Sequence, residues 1–254
     1  IMNIRGGIVE PADDLRYNVS NNQGGELTIW PGVEIRAAVS NRNNGKLVIR
    51  GGTIEHGVHD FSSETIIYDG TIYGGIWGGG GSTIEIHDGK FYVESEACVD
   101  FGGRDAYMTI FDGEFYALSG ASCVIVGANN DPKVNTGAHV TIENGSFISY
   151  GGECIDNHGN LIVRGGNFTS LPSEENSAPC IVSSWYGDTK IYDGVFSQHG
   201  GLYVANIEDY ASMDIYGGLL IGREGASGVG GTPCTLYINK NSSIEIDSEK
   251  NAFY

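Results

Sequence analysis

Two acidic clusters in this 254-residue chain carry residue types that hydrolytic chemistry uses. Asp100 stands near Arg104 and Asp105, and Asp156-Asn157-His158 comes later in the chain. A glycosidase needs two carboxylates about 5–9.5 Å apart across a sugar, one as acid and one as base or nucleophile. A second set is aromatic: Tyr68, His87 and Phe111, then Tyr73, Tyr92 and Tyr116, with Trp77 in Gly75-Ile76-Trp77-Gly78. Flat apolar rings with polar tips suit sugar stacking and protein interfaces. A third set, Asp69, Asp88 and Asp112, offers only oxygen donors, which suit Ca²⁺. Whether any of these residues meet depends on the elements that carry them.

Those elements follow from one phrase, Ile/Val-x-x-Gly-x-apolar, repeated ten times with its glycine at 7, 32, 52, 70, 89, 113, 145, 166, 194 and 218. The residue two after the glycine is apolar in every copy except one, where it is Glu34, and a degenerate eleventh copy is Ile238-Asn239-Lys240-Asn241. The glycines are 18 to 32 residues apart, about 23 on average. Each unit opens with a short alternating strand such as Ile84-Glu85-Ile86 or Val140-Thr141-Ile142 and enters a turn at Asp-Gly, Asn-Gly or Gly-Gly. Such dipeptides also mark hairpins. A hairpin needs strong alternation on both sides of the turn, yet here the return segment is brief (Lys90-Phe91-Tyr92). One apolar strand position per unit suits a coil stacked on its predecessor. The chain therefore resembles the right-handed parallel β-helix, or pectate-lyase-like, superfamily over essentially its whole length. The resemblance implies an all-β, single-domain solenoid over 1–254, of 10–11 coils and roughly 50 Å long at about 4.8 Å per stacked strand. Length differences between units are expected in loops around 127–138 and 171–188.

Register then assigns neighbours. The residue after the motif Ile faces outward, which stacks Tyr68, His87 and Phe111. Three residues past the glycine, Tyr73, Tyr92 and Tyr116 form a second ladder, with Trp77 expected nearby. These ladders either bind a glycan or protein or simply stabilise stacked strands. Asp69, Asp88 and Asp112 lie between them, as turn formers or as weak Ca²⁺ ligands; no other cofactor is expected. Asp100 and Asp156 fall on non-adjacent coils with Val124–Val126 between, roughly 9–10 Å apart. In polysaccharide lyases of the superfamily, carboxylates hold Ca²⁺ while an Arg or Lys takes the proton. Asp100, Asp156, Arg104 and His158 are thus weak catalytic candidates, and Ser183-Ser184-Trp185-Tyr186 lies on a later excursion. His56, His59, His139 and His199 are expected in loops, where they support no triad or metal site.

Composition narrows the partners. A net charge of −18 makes a nucleic-acid backbone or anionic membrane a poor partner, and no apolar run is long enough for membrane insertion. Cys98, Cys123, Cys154 and Cys180 recur at related places, as interior fillers or as inter-coil disulfides. Ile1-Met2-Asn3-Ile4 enters the repeat at once, so this end is expected to be covered by a preceding domain, by missing residues or by self-association.

The first functional expectation is a non-enzymatic fibre, spike or surface protein, extracellular or virion-exposed, which binds a cell-surface glycan or protein along one lateral face. It resembles the β-helical parts of phage fibres and spikes and of bacterial surface proteins. A polysaccharide lyase or glycoside hydrolase of the same superfamily is the alternative, and a purely structural rod is the second.

Overall fold

A computed structural model describes residues 1–11, 17–127, 137–173, 178–200, 203–208, 210–223, 227–231, 235–238 and 243–247, with backbone alone at 17–18 and from 223 onward. Every strand is short, and each coil contributes one to each of three sheets, except that the last contributes two among the described residues, giving sheets of 11, 11 and 10 strands. The first sheet runs Met2–Ile4, Glu26–Ile29, Lys46–Ile49 and so on to Thr235–Ile238. The second runs from Gly7–Val9 to Ser243–Asp247, and the third from Tyr17–Asn21 to Ser227–Gly231. All pairings are parallel and join a strand to its counterpart one coil away. The chain is a three-sheeted parallel β-helix. No helix occurs among the described residues, so none there is long and apolar enough to cross a membrane.

The repeated phrase is the corner between the first and second sheets. Its Ile or Val ends each first-sheet strand, and these residues lie in one register from Ile4↔Ile29 through Ile67↔Ile86 to Ile215↔Ile238. Its second apolar residue starts the buried row of the second sheet. Phe91, Phe115, Phe147, Phe168 and Phe196 stack there at 4.5, 4.6, 4.6 and 4.6 Å between ring centroids, all fully buried. All ten motif glycines have positive φ, for example +129° at Gly89. A Cβ on Gly89 would lie 2.9 Å from the Gly70 carbonyl oxygen of the coil before. That same carbonyl accepts the amide of Lys90 at 2.8 Å. Conformation and close stacking therefore both demand glycine.

The Glu34 exception is a one-residue insertion. Trp30-Pro31-Gly32-Val33 makes the corner longer, so Ile35 rather than Glu34 pairs with Val9 and Ile54 and is buried. Asn241 lies outside the described residues, although the strands flanking it, Thr235–Ile238 and Ser243–Asp247, stack in the expected register.

Two expectations change. The stretch 171–188 is not all excursion, because Ile181–Ser183 is a third-sheet strand and a tight turn at Ser184–Gly187 leads into Asp188–Ile191. The loop expected around 127–138 falls largely on residues 128–136, which lie outside the described residues. Three of the four histidines expected in loops instead sit on strands: His59 in Val58–Phe61, His139 in Ala138–Ile142 and His199 in Val195–His199. Their outward positions in short strands between Gly-rich turns gave no apolar alternation strong enough to mark them.

Cys98, Cys123, Cys154 and Cys180 are fully buried free thiols. Each Sγ donates to the carbonyl of its coil's core phenylalanine, Phe91, Phe115, Phe147 and Phe168, at 3.6, 3.7, 3.6 and 3.4 Å. Burial pushes the Cys123 and Cys180 thiols well above their ordinary range. All four are small buried fillers at the corner between the second and third sheets.

The third corner is held by polar clips that no repeat phrase announces. Buried Asn41 donates Nδ2 to the Glu64 carbonyl at 2.8 Å and to Thr65 Oγ1 at 3.1 Å on the next coil. Asn157 does the same to the Asp188 carbonyl and Thr189 Oγ1 at 3.2 and 2.8 Å. Asn21, Asn41 and Asp60 stack as a buried polar row, linked at 2.8 and 3.0 Å. Satisfying every donor this way makes a polar interior tolerable.

Candidate functional site

The outward row that begins at the residue after each motif Ile is longer than three rings. Backbone pairing carries it through Arg5, Trp30, Arg50, Tyr68, His87 and Phe111, because each amide from Trp30 on donates to the motif Ile carbonyl one coil earlier. Arg5 and Arg50 lie over the two faces of Trp30, 4.7 and 5.3 Å from its ring centroid, and Arg50 also lies 5.0 Å from Tyr68. Tyr68, His87 and Phe111 continue the stack at 4.9 and 4.7 Å. Six planar groups form one continuous column of cation–π and π-stacking contacts. Arg5, Trp30 and Arg50 were readable by the same offset from the motif Ile; the mixture of guanidinium and aromatic groups hid them.

The second ladder, Tyr73, Tyr92 and Tyr116, stacks at 5.4 and 5.0 Å. Tyr68 is 41 %, Phe111 39 % and Tyr73 44 % exposed, so these rings present area to solvent that strand stacking alone does not consume. Tyr116 Oη donates to Glu114 Oε2 at 2.8 Å, and Lys90 Nζ reaches the same oxygen at 3.1 Å. The tyrosine hydrogen bond, then the lysine, hold the Glu114 carboxyl below its usual range.

Between the ladders lies an open groove of about 450 Å³, lined by residues that include Pro31, Glu34, Thr53, Asp69, Thr71 and Lys90 and floored by Gly32, Gly51, Gly52 and Gly70. It lies over coils two to five, one to two coils nearer the N-terminus than the ring positions alone imply. Hydroxyls, carboxylates and an ammonium converge here beside exposed rings, an arrangement suited to a polyhydroxylated ligand.

Trp77 is elsewhere. It lies on Ile76–Gly79 in the third sheet and stacks on His59 at 4.5 Å, so it adds nothing to either ladder. A tryptophan between glycines reads as a loop residue, but here Gly78 leaves room for the Phe101 ring, which lies 2.5 Å from where a Cβ would sit.

Asp69, Asp88 and Asp112 accept the amide of their own glycine through Oδ1 at 2.7, 2.7 and 2.9 Å. Asp193 repeats the contact at 2.8 Å. The acidic row is spent on turn geometry. Among the described residues no three His, Cys, Asp or Glu side chains converge as metal ligands.

The catalytic candidates separate. Asp100 pairs with Ile125, and Ile125 with Asp156, so an isoleucine stands between the two carboxylates. Burial, then the Glu96 charge, raises the Asp100 carboxyl above its ordinary value. Arg104 is exposed at the following turn, its carbonyl accepting the Gly81 amide, and no ion pair joins it to Asp100 among the described residues. Asp156 and His158, by contrast, meet: Asp156 Oδ2 lies 2.9 Å from His158 Nε2.

Comparison of the chain with protein-family models, with curated proteins and with solved structures gave no match. The class that fold and site define is a parallel β-helix with an aromatic lateral face.

Proposed function

We propose that this chain is an exposed β-helical rod that binds a glycan chain lengthwise along the corner between its first and second sheets. The continuous outward column Arg5–Trp30–Arg50–Tyr68–His87–Phe111, running beside the groove and opposite Tyr73–Tyr92–Tyr116, carries this reading. A rod repeats its side chains every coil, and a polysaccharide repeats its rings along its length. Stacked rings one coil apart therefore offer successive sugars equivalent faces. Arg5 and Arg50, which form no ion pair with a carboxylate among the described residues, keep guanidinium edges for hydroxyl or anionic groups.

Binding at this face needs no chemistry of its own. The glycosidase reading is disfavoured by Ile125 between Asp100 and Asp156. Screening wild-type protein against an oligosaccharide array, then repeating with Tyr92→Ala and Tyr116→Ala, tests the proposal. Affinity for the best saccharide should drop roughly tenfold or more per tyrosine. Unchanged affinity in both variants would remove the ladders from the binding face.

A further inference from the structure

The second unusual surface lies at the corner between the third and first sheets, away from the groove. Asp156 and His158 occupy alternate outward positions on one coil, and Ser184 sits beside His158 on the next, its amide donating to the Asn157 carbonyl at 2.9 Å. Asp156 Oδ2 lies 2.9 Å from His158 Nε2, and Ser184 Oγ lies 3.2 Å from His158 Nδ1. A carboxylate on one ring nitrogen fixes the proton there and leaves the other as acceptor for the serine hydroxyl. Asp156 therefore selects the tautomer in which Nδ1 can remove the Ser184 proton.

The backbone around Ser184 is equally unusual. Gly187 donates to the Ser184 carbonyl at 2.9 Å, closing a turn whose two central residues, Trp185 and Tyr186, have φ of +54° and +66°. Earlier turns on this corner use Gln23-Gly24, Asn43-Asn44 and Gly80-Gly81, mostly the Asn and Gly this backbone prefers, whereas the next turn, Glu208–Ala211, again holds a tyrosine, Tyr210, at φ +65°. Aromatic residues held in that conformation are a mark of functional turns. The amides of Trp185 and Tyr186 have no acceptor among the described residues, and the amide after a nucleophilic serine is where acyl-transfer sites place an oxyanion donor. The Trp185 ring meets His158 edge-on at 6.2 Å, and Tyr186 stacks on Tyr210 at 5.4 Å.

We propose that Ser184 and His158 are the catalytic residues of an ester-hydrolysing site, with Asp156 as the positioning residue. Ser184 Oγ attacks the acyl carbon while its proton passes to His158 Nδ1. The protonated histidine then gives that proton to the departing alkoxide, which leaves as an alcohol. Water, deprotonated by the same nitrogen, attacks the acyl-serine and releases the carboxylic acid, restoring the serine hydroxyl. Ser184 is only 3 % exposed, so the acyl group is small, of acetyl size, on an alcohol that remains outside against Trp185 and Tyr186.

The test uses the wild-type chain with p-nitrophenyl acetate and with a fluorophosphonate probe whose attachment point is mapped by mass spectrometry. Expected are probe on Ser184 and hydrolysis that falls by at least about a hundredfold in both Ser184→Ala and His158→Gln. Asp156→Asn should lower the rate and move the acidic limb of its pH profile, where His158 must lose its proton to act as base, to lower pH, which a merely structural role would leave alone. Ser184→Ala removes one hydroxyl and leaves the backbone bonds of the turn in place, so it should fold as wild type, which circular dichroism verifies. Absence of labelling at Ser184, or equal hydrolysis by wild type and a folded Ser184→Ala, would overturn the proposal. Ester hydrolysis and saccharide binding on the array are read separately on the same wild-type protein, so this site and the glycan face fail or succeed independently.

Discussion

Two corners of the same coil solve one problem in opposite ways. Where the first sheet turns into the second, every described copy uses a glycine of positive φ, and an aspartate caps the glycine amide in several. The backbone there is relaxed and repetitive, and variation is left to the outward rows on either side. Where the third sheet turns into the first, several tight turns also use Asn or Gly, but one copy places Trp185 and Tyr186 in left-handed backbone and the next places Tyr210 there. At the first corner strain is absent and function, in our reading, is spread over many equivalent rings. At the second, strain gathers in two successive turns, one of them beside His158. Repetition favours extended recognition, whereas departure from repetition marks a localised site.

Substituting at the relaxed corner should have the largest effect. Gly89→Ala forces a side chain into φ +129° and against a carbonyl 2.9 Å away, and should destabilise the chain by about 3 kcal/mol in urea unfolding. A neutral outcome would mean that the glycine row is not what holds the coils in register. At the strained corner the sign reverses. Replacing Trp185 by Asn together with Tyr186 by Gly gives the turn its preferred residues and should stabilise by about 1–2 kcal/mol, while lowering ester hydrolysis. Destabilisation instead would show that the aromatic contacts outweigh the backbone strain.

The smallest effect is electrostatic. Burial lowers the His158 pKa, but the hydrogen bond and charge of Asp156, with the charge of Glu153, together raise it above its ordinary 6.5. A raised folded-state value means the protonated ring is favoured in the folded chain. That stability is fully present below pH 6.5 and is lost as pH rises through the folded value. Unfolding midpoints measured between pH 5 and about 8 should show this loss in wild type and a weaker one in Asp156→Asn. Equal slopes would separate Asp156 from the histidine.

These differences also explain what the sequence made legible. The first corner is written in local chemistry, because glycine is required three residues after an inward Ile, often with aspartate just before it, and so the phrase repeats visibly. From it the register of Tyr68, His87, Phe111 and the three tyrosines followed, as did the separation of Asp100 from Asp156. The same offset pointed to Arg5, Trp30 and Arg50, whose mixed chemistry concealed a single column. The third sheet has no such phrase. Its strands are set by inward Val, Ile and Asn rows whose spacing shifts with every loop, so Trp77 reads as a loop residue. Ser184 likewise stands 26 residues from His158 with nothing local to join them. Contacts between coils become visible only once the register of that sheet is known.

The most direct test of the central claim uses Trp30, one of three tryptophans in the chain, as its own reporter. In a Trp77→Phe, Trp185→Phe background, the fluorescence of Trp30 is followed while the best array saccharide is titrated. The account predicts a saturable change in intensity or wavelength whose midpoint matches the binding affinity and moves to higher concentration in Tyr92→Ala. Saturable binding by calorimetry with no change at Trp30, and the same affinity in Tyr92→Ala, would contradict it.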